Sequence, residues 1–106
     1  MEQPIQAENF TDAKGNPAGG YARSTGLSIN WQNGPLGRDA QRIEPNGSFV
    51  ETVIAAAKQR LEHYNSTKFR CRENSLAITH LDEALHWLHH RTADRERRRV
   101  EGTHAE

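Results

Sequence analysis

Apolar residues are in short supply: 34% of the 106 residues are hydrophobic, under the about 45–50% (glycine included) of an ordinary globular domain. A chain of this size buries a modest share of its surface even with a full apolar complement. Part of it is therefore expected to be irregular, and several copies are expected to share a core. Cysteine is nearly absent. Cys71 stands alone, which excludes an internal disulfide and fits a reducing cytosol. Long apolar runs are missing as well: Val53 to Ala57 is among the longest, far below the about 18 residues of a membrane span. Met1 to Gln6 has no basic stretch followed by an apolar one, so no secretory signal is expected. Charge of one sign is lacking too, with 14 basic residues against 14 acidic. A general nucleic-acid binder carries a basic excess, so that class is disfavoured.

What is present is unevenly distributed. Six of the eight glycines and all four prolines lie within residues 1–45, which divides the chain into an irregular first part and a helical second part. Gly15-Asn16-Pro17-Ala18-Gly19-Gly20 predicts a flexible tail over residues 1–25. Residues 26–45 form a loop with one short strand, because Leu27, Ile29 and Trp31 alternate with polar residues before Asn33-Gly34-Pro35 stops the run. Residues 46–106 read as a helical hairpin. Ser48-Phe49-Val50-Glu51 has the form of a capping box, and Phe49, Val50, Val53, Ile54, Ala57, Leu61 and Tyr64 recur at three- and four-residue steps. After the polar Asn65-Ser66-Thr67, a second helix is expected from about Arg70 to about Glu96, with Leu76 or Ala77, Leu81, Ala84, Leu85 and Leu88 as its stripe. Past Arg95 the chain is charged, and Gly102 is a natural stop. The expected fold is mainly α: an antiparallel two-helix hairpin whose irregular N-terminal segment carries at most a short strand. One such hairpin has little core, so a homo-oligomer is expected.

Candidate chemistry is sparse. His86, His89 and His90 share a helix face at metal-chelating spacing, but Trp87 stands where a zincin has glutamate and no cysteine pair adds a ligand. No metal and no cofactor are expected. Cys71 lacks a legible base and orienting partner, so no catalytic residue is assigned. The glycines around Gly34 and Gly37 lack the Lys-Ser/Thr of a P-loop; Trp31 and Gln32 are better placed to stack on and bond to a base. The cationic cluster Lys68, Arg70 and Arg72 is more informative. It lies at the mouth of the second helix, where free amides also favour anions, and Ser75 and Thr79 follow Arg72 on one face. Guanidinium fork and hydroxyls together suit a phosphate; the alternative is an Arg72 paired with Glu73 or Glu51. The series Arg91, Arg95, Arg97, Arg98 and Arg99 is broken by Asp94 and Glu96, the pattern of a salt-bridged, solvated face.

The stretch Arg72-Glu73-Asn74-Ser75-Leu76-Ala77-Ile78-Thr79-His80-Leu81-Asp82-Glu83-Ala84-Leu85-His86-Trp87, with Arg91-Thr92-Ala93-Asp94-Arg95 and Glu101-Gly102-Thr103-His104, resembles the hairpin domain of the phage anti-CBASS and Thoeris anti-defence sponge family. The resemblance covers about residues 46–104. It implies a homohexamer of helical hairpins in the cytoplasm of an infected bacterium, one that sequesters cyclic di- and trinucleotide messengers, or cyclic ADP-ribose isomers, without cleaving them. Arg72, Ser75 and Thr79 match the family's trinucleotide phosphate grip. Its dinucleotide pocket uses a tyrosine and a lysine, for which Tyr64 and Lys68 are the candidates here, with Arg70 beside them. The rival reading is a small phage module that binds nucleic acid or a partner protein through the basic end of the second helix.

Overall fold

A computed structural model describes residues 1–98 and Thr103. Five main elements follow one another: strands β1 (Gln6–Thr11), β2 (Pro17–Ser24) and β3 (Leu27–Trp31), then helices α1 (Val50–Asn65) and α2 (Arg72–Arg97). They form two units. The first holds Met1–Phe49 and the second Val50–Arg98.

The first unit corrects the expectation of a mainly α fold with at most a short N-terminal strand. It is a three-stranded antiparallel sheet in the order β1-β2-β3, so the fold is mixed, a sheet and a helical hairpin. Two tight turns make this possible. Asp12 closes the first: its carboxylate accepts from the backbone amides of Lys14 (2.8 Å) and Asn16 (3.0 Å), the local side-chain bonding that suits aspartate to turns. Thr25-Gly26 makes the second, between partners Ser24 and Leu27. Gly20 lies inside β2 opposite Asn9 with φ of 144°. A Cβ there would meet the Glu8 carbonyl oxygen at 2.3 Å, so the close approach of the two strands depends on the missing side chain. The glycines that suggested a tail are thus what lets β2 form.

Strand pleating sorts the side chains by face. Leu27, Ile29 and Trp31 share one face with their partners Ser24, Ala22 and Gly20. Ile29 is the only buried hydrophobic side chain among the described residues, at 9% exposure. On the opposite face the Arg23 guanidinium lies 4.1 Å from the centre of the Tyr21 ring and donates to Asn30 Oδ1 at 2.9 Å.

The outer edge of β3 is occupied by the approach to α1. Ser48 bridges Trp31 in parallel: its amide donates to the Asn30 carbonyl (2.7 Å) and its carbonyl accepts from the Gln32 amide (3.0 Å). Ser48 thus commits its backbone to the sheet, and α1 begins at Val50. A Cβ on Gly47 would stand 2.6 Å from the Trp31 carbonyl. Gly47→Ala is therefore expected to lift residues 46–48 off β3 at a cost of about 1–3 kcal/mol, the usual range for overpacking. In a Trp87→Phe background, Trp31 emission should shift to longer wavelength and the denaturation midpoint should fall. Unchanged emission and midpoint would show that the segment yields without loss.

The second unit is the expected hairpin. No Gly or Pro interrupts residues 50–98, and both helices carry an apolar stripe. Half-buried Val53, Ile54 and Leu61 of α1 and Ala77, Ile78, Leu81, Ala84, Leu85 and Leu88 of α2 form the seam, which Lys58 crosses to Asp82 (Nζ–Oδ1 2.6 Å). That contact holds the Lys58 ammonium above its ordinary pKa, mainly through the Asp82 hydrogen bond. Neither helix has a buried residue. Leu76 (41%) and Trp87 (66%) remain exposed on α2, and Val50 (50%) on α1. No helix among the described residues is long and apolar enough to cross a membrane.

Candidate functional site

The turn between the helices is built from hydroxyl and amide side chains that bond to the local backbone. Ser66 Oγ donates to the His63 carbonyl and Thr67 Oγ1 to the Tyr64 carbonyl, both at 2.6 Å. Cys71 opens α2 as its N-cap, its sulfur accepting from the Asn74 amide at 3.4 Å. Asn65, the last residue of α1, ties the two helices together: Oδ1 accepts from the Cys71 amide (3.3 Å) and Nδ2 donates to Ser75 Oγ (3.0 Å). In the sequence Asn65 reads only as turn material, because no spacing rule links it to Ser75.

Arg72 is the first residue of α2 and is exposed. No carboxylate among the described residues pairs with it, so the alternative of a salt bridge to Glu51 or Glu73 is not realised. Ser75 and Thr79, three and seven positions on, lie on the same side of the helix, and both are exposed. Each hydroxyl donates to a carbonyl one turn back, Ser75 to Cys71 at 3.3 Å and Thr79 to Ser75 at 3.1 Å. Such bonds contribute about 0.5–1.5 kcal/mol each, little enough to be exchanged for a bond to an anion. Lys68, Arg70 and the aromatic Phe69, which is 68% exposed, adjoin this position in the turn. The Lys68 ammonium lies 5.2 Å from the Phe69 ring centre.

The remaining candidates are placed elsewhere. Tyr64 is 39% exposed; its ring lies under Arg60 at 4.9 Å, and its hydroxyl accepts from Arg60 Nε at 3.1 Å. Trp31 and Gln32 belong to the sheet unit. The Gln32 amide is engaged there, with Oε1 accepting from the Asn46 amide (2.9 Å) and Nε2 donating to the Gly34 carbonyl (3.3 Å). The basic end of α2 is internally paired: Asp94 accepts from Arg97 and lies 3.2 Å from Arg98 Nε. The Arg97 contact, foremost, holds the Asp94 carboxyl below its ordinary pKa. Arg99 and Gly102 lie outside the described residues. His86 and His90 both pack their rings edge-on against Trp87, and among the described residues no three His, Cys, Asp or Glu side chains are grouped to hold a metal ion.

A family model described as the Acb2/Tad1 hairpin domain matches residues 25–93, from the turn before β3 through most of α2. The chain belongs to this family. Within the Acb2/Tad1 hairpin match fall Arg72, Ser75, Thr79, Tyr64 and Asn65, whereas β1 and β2 precede it. The chain is also similar to "Thoeris anti-defense 1" of Bacillus phage SBSphiJ7, with 47% identity over 77 residues, 73% of this chain and 51% of that protein. It thus spans about half the length of that Acb2/Tad1 relative.

Proposed function

We propose that the protein is a phage anti-defence sponge, acting in the cytoplasm of the infected host. In this reading it binds cyclic oligonucleotide messengers, cyclic trinucleotides foremost, and holds them without chemical change. The observation that carries the ligand assignment is Arg72: an exposed guanidinium beside Lys68 and Arg70, with no carboxylate partner. The anti-defence role is supported by the family and by the name of the Bacillus phage relative. A cyclic trinucleotide has three phosphates and approximate three-fold symmetry. One Arg72 from each of three protomers meets it on a symmetry axis, with a bidentate contact to each phosphate. Assembly, as a hexamer of hairpins in this reading, follows from the same chain. Helices with no buried residue need partner surfaces to offset the entropy of ordering, and Leu76, Trp87 and Val50 supply apolar area for them.

The test is a capture-and-release experiment. Protein is incubated with a panel of cyclic di- and trinucleotides and cyclic ADP-ribose isomers, washed, then heat-denatured, and the released material is analysed by mass spectrometry. A sponge returns the intact ligand in stoichiometric amount. Return of linearised or hydrolysed product would make the protein an enzyme, and capture of none of the panel would remove the messenger assignment.

A further inference from the structure

The hydrogen bonds at the start of α2 define how the Ser75 hydroxyl is used. The backbone amide of Cys71 only donates, so the side-chain oxygen of Asn65 must face it, at 3.3 Å. That fixes the orientation of the Asn65 amide and turns its NH2 toward Ser75 Oγ, 3.0 Å away. Ser75 is thereby held as an acceptor on that side, and its own proton must point elsewhere. The proton reaches the Cys71 carbonyl over 3.3 Å, long for a hydroxyl donor. That carbonyl already accepts from the Ser75 amide at 3.2 Å, so losing the hydroxyl leaves it satisfied. Thr79 has no such support: its hydroxyl donates to the Ser75 carbonyl, and among the described residues no side chain donates to it.

We infer that Asn65 is a positioning residue, which holds the Ser75 hydroxyl ready to donate to a phosphate oxygen of a ligand bound at Arg72. This rests on the phosphate-ligand reading and adds to it a residue that touches no ligand itself. Charge-assisted hydrogen bonds favour a donor that is already oriented. Asn65 does the orienting, and Arg72 supplies the charge.

The test uses the full chain, cyclic triadenylate as the probe and titration calorimetry, with circular dichroism and light scattering on every variant. Asn65→Ala removes both ties and is expected to weaken binding about tenfold, because it takes away the orientation of each Ser75 hydroxyl and not the hydroxyl itself. In a Ser75→Ala background the same substitution is expected to cost nothing further, because the hydroxyl through which it acts is gone. Asn65→Asp keeps an acceptor for the Cys71 amide but cannot donate to Ser75. The hydroxyl then turns to the carboxylate, so binding should be weaker than in Asn65→Ala while the helical signal persists. If Asn65→Ala fails to fold, Asn65→Asp with and without Ser75→Ala carries the same comparison.

Folded Asn65 variants that bind like the original protein would overturn the inference and leave the ligand reading standing. An equal loss in the Ser75→Ala background would also overturn it, since Asn65 would then act by another route. Failure of the unmodified protein to bind the probe would instead bring down the trinucleotide reading, and the positioning role with it.

Discussion

Arg72→Ala is expected to nearly abolish capture of cyclic trinucleotides while leaving the fold and the assembly intact. A hydrogen bond to a charged group contributes about 1.5–3 kcal/mol. In the proposed arrangement of three symmetry-related arginines on one ligand, all three contacts disappear together, lowering affinity by about three orders of magnitude or more. Arg72→Lys should recover only part of this, because an ammonium keeps the charge but loses the planar fork. The side chain is exposed at a helix start and has no ion-pair partner, so its removal takes nothing from the seam between the helices. Calorimetry reads the affinity, and light scattering with thermal melting reads the assembly. Undiminished trinucleotide binding by a well-assembled variant would end the phosphate role. Dissociation or unfolding would make the arginine structural.

The largest expected loss of stability comes from a glycine in the sheet. Gly20→Ala asks an L-residue to adopt φ of 144° and places its Cβ 2.3 Å from the Glu8 carbonyl oxygen. Backbone strain of this kind costs about 1–3 kcal/mol, and a steric clash in a packed position costs a similar amount. The neighbouring atoms are backbone, so no side chain can swing away to relieve the contact. Strand β1 is expected to detach from β2. Hydrogen exchange should show residues 6–11 losing protection while the amides of residues 50–98 keep theirs. A variant with native protection across β1 would mean that the strands separate at little cost, and that this glycine is no constraint.

The two halves of the chain differ in how openly their sequences declare their structure. The hairpin was legible because two periodic stripes, free of Gly and Pro, flank a short polar turn; α2 runs from Arg72 to Arg97, within two residues of the expectation. The sheet was not, apart from β3. Gln6-Ala7-Glu8-Asn9-Phe10-Thr11 has a single large apolar residue and all six positions of β1 are exposed, so period-2 alternation had no signal to give. In β2 the paired glycines argued for disorder, although one of them is required by the approach of Glu8. At the candidate site, the spacing of Arg72, Ser75 and Thr79 was enough to place them on one face. What it could not supply was the Asn65 tie, a contact across ten residues between two helix ends, or that neighbouring Glu73 forms no ion pair with Arg72. Gln32 also looked different in sequence, where its engagement with Asn46 is invisible.

Every main pairing among the described residues joins elements adjacent in sequence: β1 with β2, β2 with β3, α1 with α2. Chains whose contacts are local fold fast, because little loop-closure entropy has to be overcome before native contacts form. Each hairpin here is complete soon after its second arm has been synthesised, with no need to wait for a distant segment. For a protein proposed to intercept a messenger made in response to infection, the interval between translation and readiness matters as much as affinity. A topology of successive hairpins keeps that interval short.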